Sequence, residues 1–234
     1  MIELVLTPAE LAVALHSLAG PALALDASAL RDLDVTEADL ASARTALLER
    51  GVLVCAPFEP EEMASVSTAY VGLLEVPMAP DEMCVLRLDR RETEPRQVYY
   101  SMSGRMYVRH CVEASRSVAF VELPSVHAIV DDMIRESVGD VDLPSPPPSD
   151  QKAPLADLLR TATSANVLVR VVEPAASPGS VQALSWIVSD RALWLVTGEG
   201  EFETAQSVDT DHLRAQLSRL IEVTEQLSLS DGTS

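Results

Sequence analysis

The chain has 234 residues, 47% of them hydrophobic, enough to close one sizeable core or two small domains and too apolar to stay disordered. Its 17 lysines and arginines stand against 36 aspartates and glutamates, a formal net charge of −19. That field repels phosphate backbones and anionic bilayers over most of the surface, so neither a nucleic acid nor a membrane is an expected partner.

The run "LAVALHSLAGPALAL" is broken by His16, Ser17, Gly20 and Pro21, too soon for a bilayer span, and Glu3 stands where a signal peptide carries basic residues. A cytoplasmic protein is expected. A short strand, Glu3 to Leu6, leads into a helix with Thr7 as N-cap, Pro8 at the first helical position, Glu10 at the capping-box position and Gly20 as the stop. A second helix, "VTEADLASARTALLERG", is capped by Thr36 and ended by Gly51 before a strand in "VLVCAPF". Helix, helix, strand is the order of a winged-helix unit. The second helix offers Glu37, Asp39 and Glu49 against Arg44 and Arg50, which suits helix packing and not the reading of bases.

From Glu59 the spacing of Met63, Val66, Tyr70, Leu73 and Leu74 predicts a third helix. Strands follow in "MCVLRLDR", in the hairpin "RQVYYSM" and "RMYVRHCV", and in "SVAFVEL"; then "PSVHAIVDDMIRESV" closes as a helix. The proline-rich "GDVDLPSPPPSDQKAP" breaks every periodicity and reads as a linker. Beyond it come the helix "PLADLLRTATS", the strand "NVLVRVVE", the hairpin "VQALSWIV" and "RALWLVTG", a strand or turn in "EFETAQSV", and the helix "DTDHLRAQLSRLIEVTEQL".

The order is therefore a repeat. Placing Arg105 on Arg191, 191 − 105 = 86, also puts Val98 on Leu184, Tyr100 on Trp186, Met102 on Val188 and Tyr107 on Leu193. At 87, Val126, Val130, Met133 and Ile134 fall on Leu213, Leu217, Leu220 and Ile221, the apolar stripe of an equivalent helix. Two-residue turns at Ser103-Gly104 and Ser189-Asp190 would put Trp186 and Tyr100 on the core side and Trp194 on the opposite face. The predicted fold is α+β, a pseudo-two-fold duplication of a helix-β-β-β-helix unit around antiparallel sheet with a winged-helix-like cap. Its divisions are a cap (1–58), a first half (59–138), the linker (139–153), a second half (154–227) and a frayed tail (228–234).

No phosphate-binding loop, nucleophile elbow or zinc-protease motif is present in the sequence. Cys55, Cys84 and Cys111 are odd in number and unpaired in spacing, which fits buried thiols better than a disulfide framework or a zinc site. No catalytic residue, cofactor or metal is predicted. Arg87, Arg90, Arg91, Arg96, Arg105, Arg109 and Arg116 crowd one stretch, either as solvated strand edges or as a patch for an acidic partner.

The opening "LTPAEL" helix, "ALLERGVLV", "APDEMCVLRL", the hairpin, "FVELPSVHAIVDDMI" and "RALWLVTGEGEFETAQSVDTDHLRAQLSRLIEV" together resemble the EspG-like proteins of type VII secretion systems. The resemblance implies two pseudo-symmetric α+β halves building a central antiparallel sheet. It also implies a cytosolic, non-enzymatic chaperone that holds the aggregation-prone tip of a PE-PPE substrate dimer. The expected function is thus a protein-binding adaptor, with partner contacts at Arg90, Arg91, Arg96, Arg109 and Trp194. Two alternatives stand beside it: a ligand binder or enzyme with a site across the pseudo-two-fold near Arg105 and Arg191, and a transcription regulator using the N-terminal helices.

Overall fold

The structure, a computed structural model, describes residues 2–19, 35–58, 60, 63–139, 152–172, 181–189, 192–197 and 204–228, the last seven as backbone only. In chain order the elements are β1 (Glu3–Leu6), α1 (Pro8–Ala19), α2 (Glu37–Glu49), β2 (Leu53–Val54), β3 (Ser65–Val66), α3 (Thr68–Met78), β4 (Glu82–Arg90), β5 (Arg96–Ser103), β6 (Met106–Val112), β7 (Val118–Leu123), α4 (Val126–Val138), β8 (Lys152–Pro154), α5 (Leu155–Thr161), β9 (Ala162–Val172), β10 (Gln182–Ser189), β11 (Leu193–Thr197), β12 (Thr204–Val208) and α6 (Thr210–Ser228). The fold is α+β, helices against antiparallel sheet. Two compact units divide the chain: Met1–Ala79 with Val108–Glu122, and Pro80–Tyr107 with Leu123–Ser234. Compactness and repetition are different divisions, since the first unit borrows strands from the first repeat.

In the first unit β1 pairs antiparallel with β7, Glu3 opposite Val121 and Leu6 opposite Val118. The alternation buries Leu4 and Leu6 and leaves Glu3 in solvent. Both helix starts carry a reciprocal capping box. The Thr7 amide donates to Glu10 Oε2 at 2.8 Å and the Glu10 amide to Thr7 Oγ1 at 3.2 Å; Thr36 and Asp39 repeat the exchange at 2.9 and 3.2 Å. Ala12, Val13 and Ala14 of α1 and Ala43 and Leu47 of α2 are buried as the helices pack together. Arg50 ends α2 and donates to Glu10 Oε1 at 2.7 Å and to the Val5 carbonyl at 2.8 Å, so one guanidinium ties α2 to α1 and β1. Gly51 follows at φ +68, a left-handed conformation that terminates the helix.

In the second unit the strand order is β5-β4-β9-β10-β11-β12-β8, every neighbouring pair antiparallel. The register puts Glu82, Cys84, Leu86, Leu88, Tyr100, Leu168, Arg170, Trp186 and Leu195 on one face. That face receives α4, whose Ile129, Val130, Met133 and Ile134 are buried; α4 in turn packs on α6, whose Leu213, Leu217 and Ile221 are buried. The other face carries Ile187, Trp194 and Ala205 beneath Leu158 of α5.

The repeat reads directly from the element bounds. β5 and β10 are offset by 182 − 96 = 86 at the start and 189 − 103 = 86 at the end. Tyr100 and Trp186 fall on one another and both are fully buried. The leading strands of the halves, β4 and β9, pair antiparallel from Glu82 opposite Val172 to Arg90 opposite Ser164, as a two-fold between equivalent strands requires.

Several local expectations change. Each half carries four strands between its helices, since β7 and β12 both join the antiparallel pairing. The helix expected from Glu59 starts at Thr68, because Ser65–Val66 instead forms β3 against β2 and thereby buries Val66. Leu53–Val54 is all that remains of the strand expected in "VLVCAPF". α5 stops at Thr161, where the Ala-Thr-Ser that follows is drawn into β9 between β4 and β10. The first hairpin turn lies one residue later than expected, Gly104 taking φ +57 as the first turn residue after β5. In the second hairpin β10 keeps Ser189, whose amide donates to the Ala192 carbonyl at 2.9 Å. Gly20, Asp190, Arg191, most of the linker, the loop "EPAASPGS" and the tail beyond 228 lie outside the described residues.

Candidate partner-binding surface

Four of the clustered arginines gather at the β4–β5 hairpin end. The Arg90 guanidinium donates to the Glu136 carbonyl in the last turn of α4 at 2.6 Å, where a cation also meets the negative end of the helix. Arg96 Nη1 reaches the Glu136 carboxylate at 3.2 Å. These two side chains thus fasten the hairpin to α4. Arg87 is 57% exposed with Asp89 4.0 Å away. Arg91 points to solvent while its amide donates to the Thr163 carbonyl of β9. The turn carrying Arg105 is braced by Asp81, which accepts from Ser103 Oγ at 2.8 Å and from the Gly104 amide at 3.1 Å.

Arg109 and Arg116 belong to the other unit, Arg109 half-buried on β6 and Arg116 at φ +64 in the turn before β7. Trp194 is only 7% exposed and packs among Leu158, Ala162, Ile187, Ala192 and Ala205, so its ring is not available to a partner. It lies on the face opposite Trp186, since Ile187, not Trp186, is its cross-strand neighbour.

The strongest buried electrostatics escaped the sequence reading. Arg170 of β9 forms a fork with the Glu82 carboxylate, Nε to Oε1 and Nη2 to Oε2, the latter at 3.0 Å, and donates Nη1 to Gln182 at 3.0 Å. Glu82 follows the same period of two as Cys84, Leu86 and Leu88, and that alternation was the available signal. Beside the fork, burial pushes the Cys84 thiol up to about 12, Glu82 adding to the shift and Arg170 opposing it, so the thiol is inert. A second buried link joins the Tyr100 hydroxyl to Asp132 of α4 at 2.9 Å, with Arg135 on the other carboxylate oxygen. At the α4–α6 contact Asp131 pairs with Arg214.

A shallow groove of about 470 Å³ in the first unit is lined by Thr7, Glu10, Val35, Asp39 and Ala43. Its carboxylates are already occupied as capping partners. The Thr36 hydroxyl and then its amide hold the Asp39 carboxyl below its usual range. Among the described residues no group of three or more His, Cys, Asp or Glu could hold a metal, and no helix is long and apolar enough to cross a membrane.

By sequence, no protein-family model and no curated protein matches the chain. By structure, it is similar to the Mycobacterium tuberculosis type VII secretion system chaperone EspG5, solved in complex with a PE25–PPE41 dimer. The TM-score is 0.60 at 9% sequence identity, over 93% of this chain and 95% of that one. The fold is EspG-like. At that identity the likeness lies in the arrangement of elements and not in shared side chains.

Proposed function

We propose that this chain is a non-enzymatic, protein-binding adaptor of the cytoplasm that acts as a chaperone for a secreted protein. The observation that carries the reading is the end-to-end structural likeness to EspG5, a chaperone solved with its protein partner bound. Fold alone leaves function open. The hairpin end of the second unit supplies the chemistry, because Arg91 and Arg87 project from a frame that Arg90 and Arg96 fix to α4. Asp89, Glu92 and Glu94 are exposed on the same end, so in this reading the two arginines offer local contacts to carboxylates of the client within a rim of mixed charge. In this reading residues 1–58 are a cap on two halves, 59–138 and 154–227.

The test is tagged expression in the native host together with deletion of the gene. The expected result is a stoichiometric complex with one secreted protein, loss of that protein from the medium on deletion, and a weakened complex for Arg87→Glu/Arg91→Glu. A chain that migrates alone, with an unchanged set of secreted proteins after deletion, overturns the reading.

A further inference from the structure

Strand β1 is an edge of the first unit. It has β7 on one side and, among the described residues, no strand on the other. The Glu122 amide donates to the Ile2 carbonyl at 2.9 Å, so in the alternating antiparallel ladder Ile2, Leu4 and Leu6 bond to β7 while Glu3 and Val5 turn their amides and carbonyls outward. An open edge of this kind is a template on which another chain can add a strand. β1 carries none of the usual deterrents in its own sequence: it holds no proline, lysine or arginine, and Val5 is 37% exposed on the solvent face. The outer strand of the second unit, β8, differs, being three residues long with Lys152 at its start and Pro154 at its end.

What β1 lacks is supplied by α2. Arg50, at the end of that helix, donates Nη2 to the outward carbonyl of Val5 at 2.8 Å and Nη1 to Glu10 Oε1 at 2.7 Å. Glu10 is buried, and its other oxygen accepts the Thr7 amide, so the acid that holds the guanidinium is itself fixed. The guanidinium thus takes the place of a next strand's donor, and it leaves only by giving up a charge-assisted bond to a buried carboxylate. Without it the edge would fit a copy of itself. Two β1 strands running antiparallel about a two-fold, Leu4 opposite Leu4, set Glu3 of each against Val5 of the other. That register matches outward amides to outward carbonyls and keeps exposed side chains beside exposed ones, since Glu3 and Val5 share the solvent face and Leu4 the buried one. We infer that Arg50 is a guard on this edge, and that by engaging the Val5 carbonyl from its anchor on Glu10 it keeps β1 from pairing with the β1 of a second copy.

The experiment is sedimentation velocity of the full chain over a wide concentration range, at an ionic strength near physiological so that the net charge of −19 does not mask association. The wild type is expected to keep one sedimentation coefficient throughout. Arg50→Met retains an aliphatic stem and loses the donors, and is expected to self-associate about tenfold or more tightly than the wild type. Because that variant takes one partner from a buried carboxylate, Glu10→Gln/Arg50→Met is measured beside it; glutamine still accepts from the Thr7 amide, and the same association is expected. Val5→Pro removes an outward amide and no bond to β7, so adding it to either variant is expected to restore the wild-type pattern. Folding of each variant is followed by circular dichroism. Folded Arg50 variants that sediment as the wild type does, or association that persists when Val5→Pro is added, would each overturn the inference.

Discussion

Tyr100 and Trp186 occupy the same position in two copies of one strand, offset by 86 at both ends, yet they fill it by different physics. Tyr100 reaches Asp132 on the helix above, a buried polar tether. Trp186 is equally enclosed, and among the described residues its indole nitrogen finds no hydrogen-bond partner, so here the second copy relies on ring volume where the first adds a polar tether. The residue of α6 that stands where α4 has Asp132 is Arg219, at the helix offset of 87, and it faces solvent. The shared feature, an aromatic under the closing helix, belongs to the fold. The unshared features belong to each copy's own task.

The seam between the copies gives the sharpest break. There an acid from β4 meets a base from β9 with almost no water, Glu82 at 9% and Arg170 at 2% side-chain exposure. Arg170→Met strands a buried carboxylate and is expected to cost about 3–5 kcal/mol in urea unfolding. Glu82→Leu/Arg170→Met removes both charges and is expected to recover most of that loss. A double variant as unstable as the single one would mean that the fork is not an isolated pair but part of what aligns β4 with β9.

Within the copies, Trp186→Ala is expected to cost about 3–5 kcal/mol through the cavity it leaves. Tyr100→Phe keeps the ring and loses only the bond to a charged acceptor, about 1.5–3 kcal/mol. Tyr100→Phe/Asp132→Leu should then regain stability, because no buried polar group is left unpaired and Arg135, 67% exposed, returns to water. If Tyr100→Phe proves neutral, the two copies are held alike and the tether is incidental.

Much of this was legible beforehand. Capping residues Thr7 with Glu10 and Thr36, the 86-residue offset, the apolar stripes of α4 and α6 and the opposed faces of the two tryptophans all follow from local periodicity and short-range hydrogen bonding. What failed was decided by long-range pairing. Ser65–Val66 left a helical pattern to pair with β2, and Ala162–Ser164 left one to pair with β4 and β10. The arginines were found as a cluster, but that Arg90 and Arg96 converge on Glu136 depends on where α4 ends over the sheet. Trp194 was read as a possible contact because strand alternation gives its face and not what covers that face; α5 covers it.

The smallest predicted effect concerns a residue the second copy lacks. His110 on β6 stacks on Phe120 with ring centroids 5.9 Å apart, and burial lowers its pKa to about 4; at the offset of 86 that the hairpin keeps, the second copy has the half-buried, untitratable Val196. The neutral imidazole is the form the fold accepts. Between an unfolded pKa of about 6.5 and a folded one of about 4 the unfolded chain binds the extra proton. The stability due to neutral burial is therefore complete above about pH 6.5, declines as pH falls toward about 4, and changes no further below. Carboxylates titrate in part of this window in every variant, so the quantity to measure is the difference in urea midpoint between wild type and His110→Gln from pH 7 to pH 4. That difference should shift steadily against the wild type as the pH drops, whereas the difference for Val196→Gln should stay constant throughout. Parallel curves for His110→Gln would place the imidazole in water and leave the first copy's β6 more open at this position than the second copy's β11, where Val196 packs on the core.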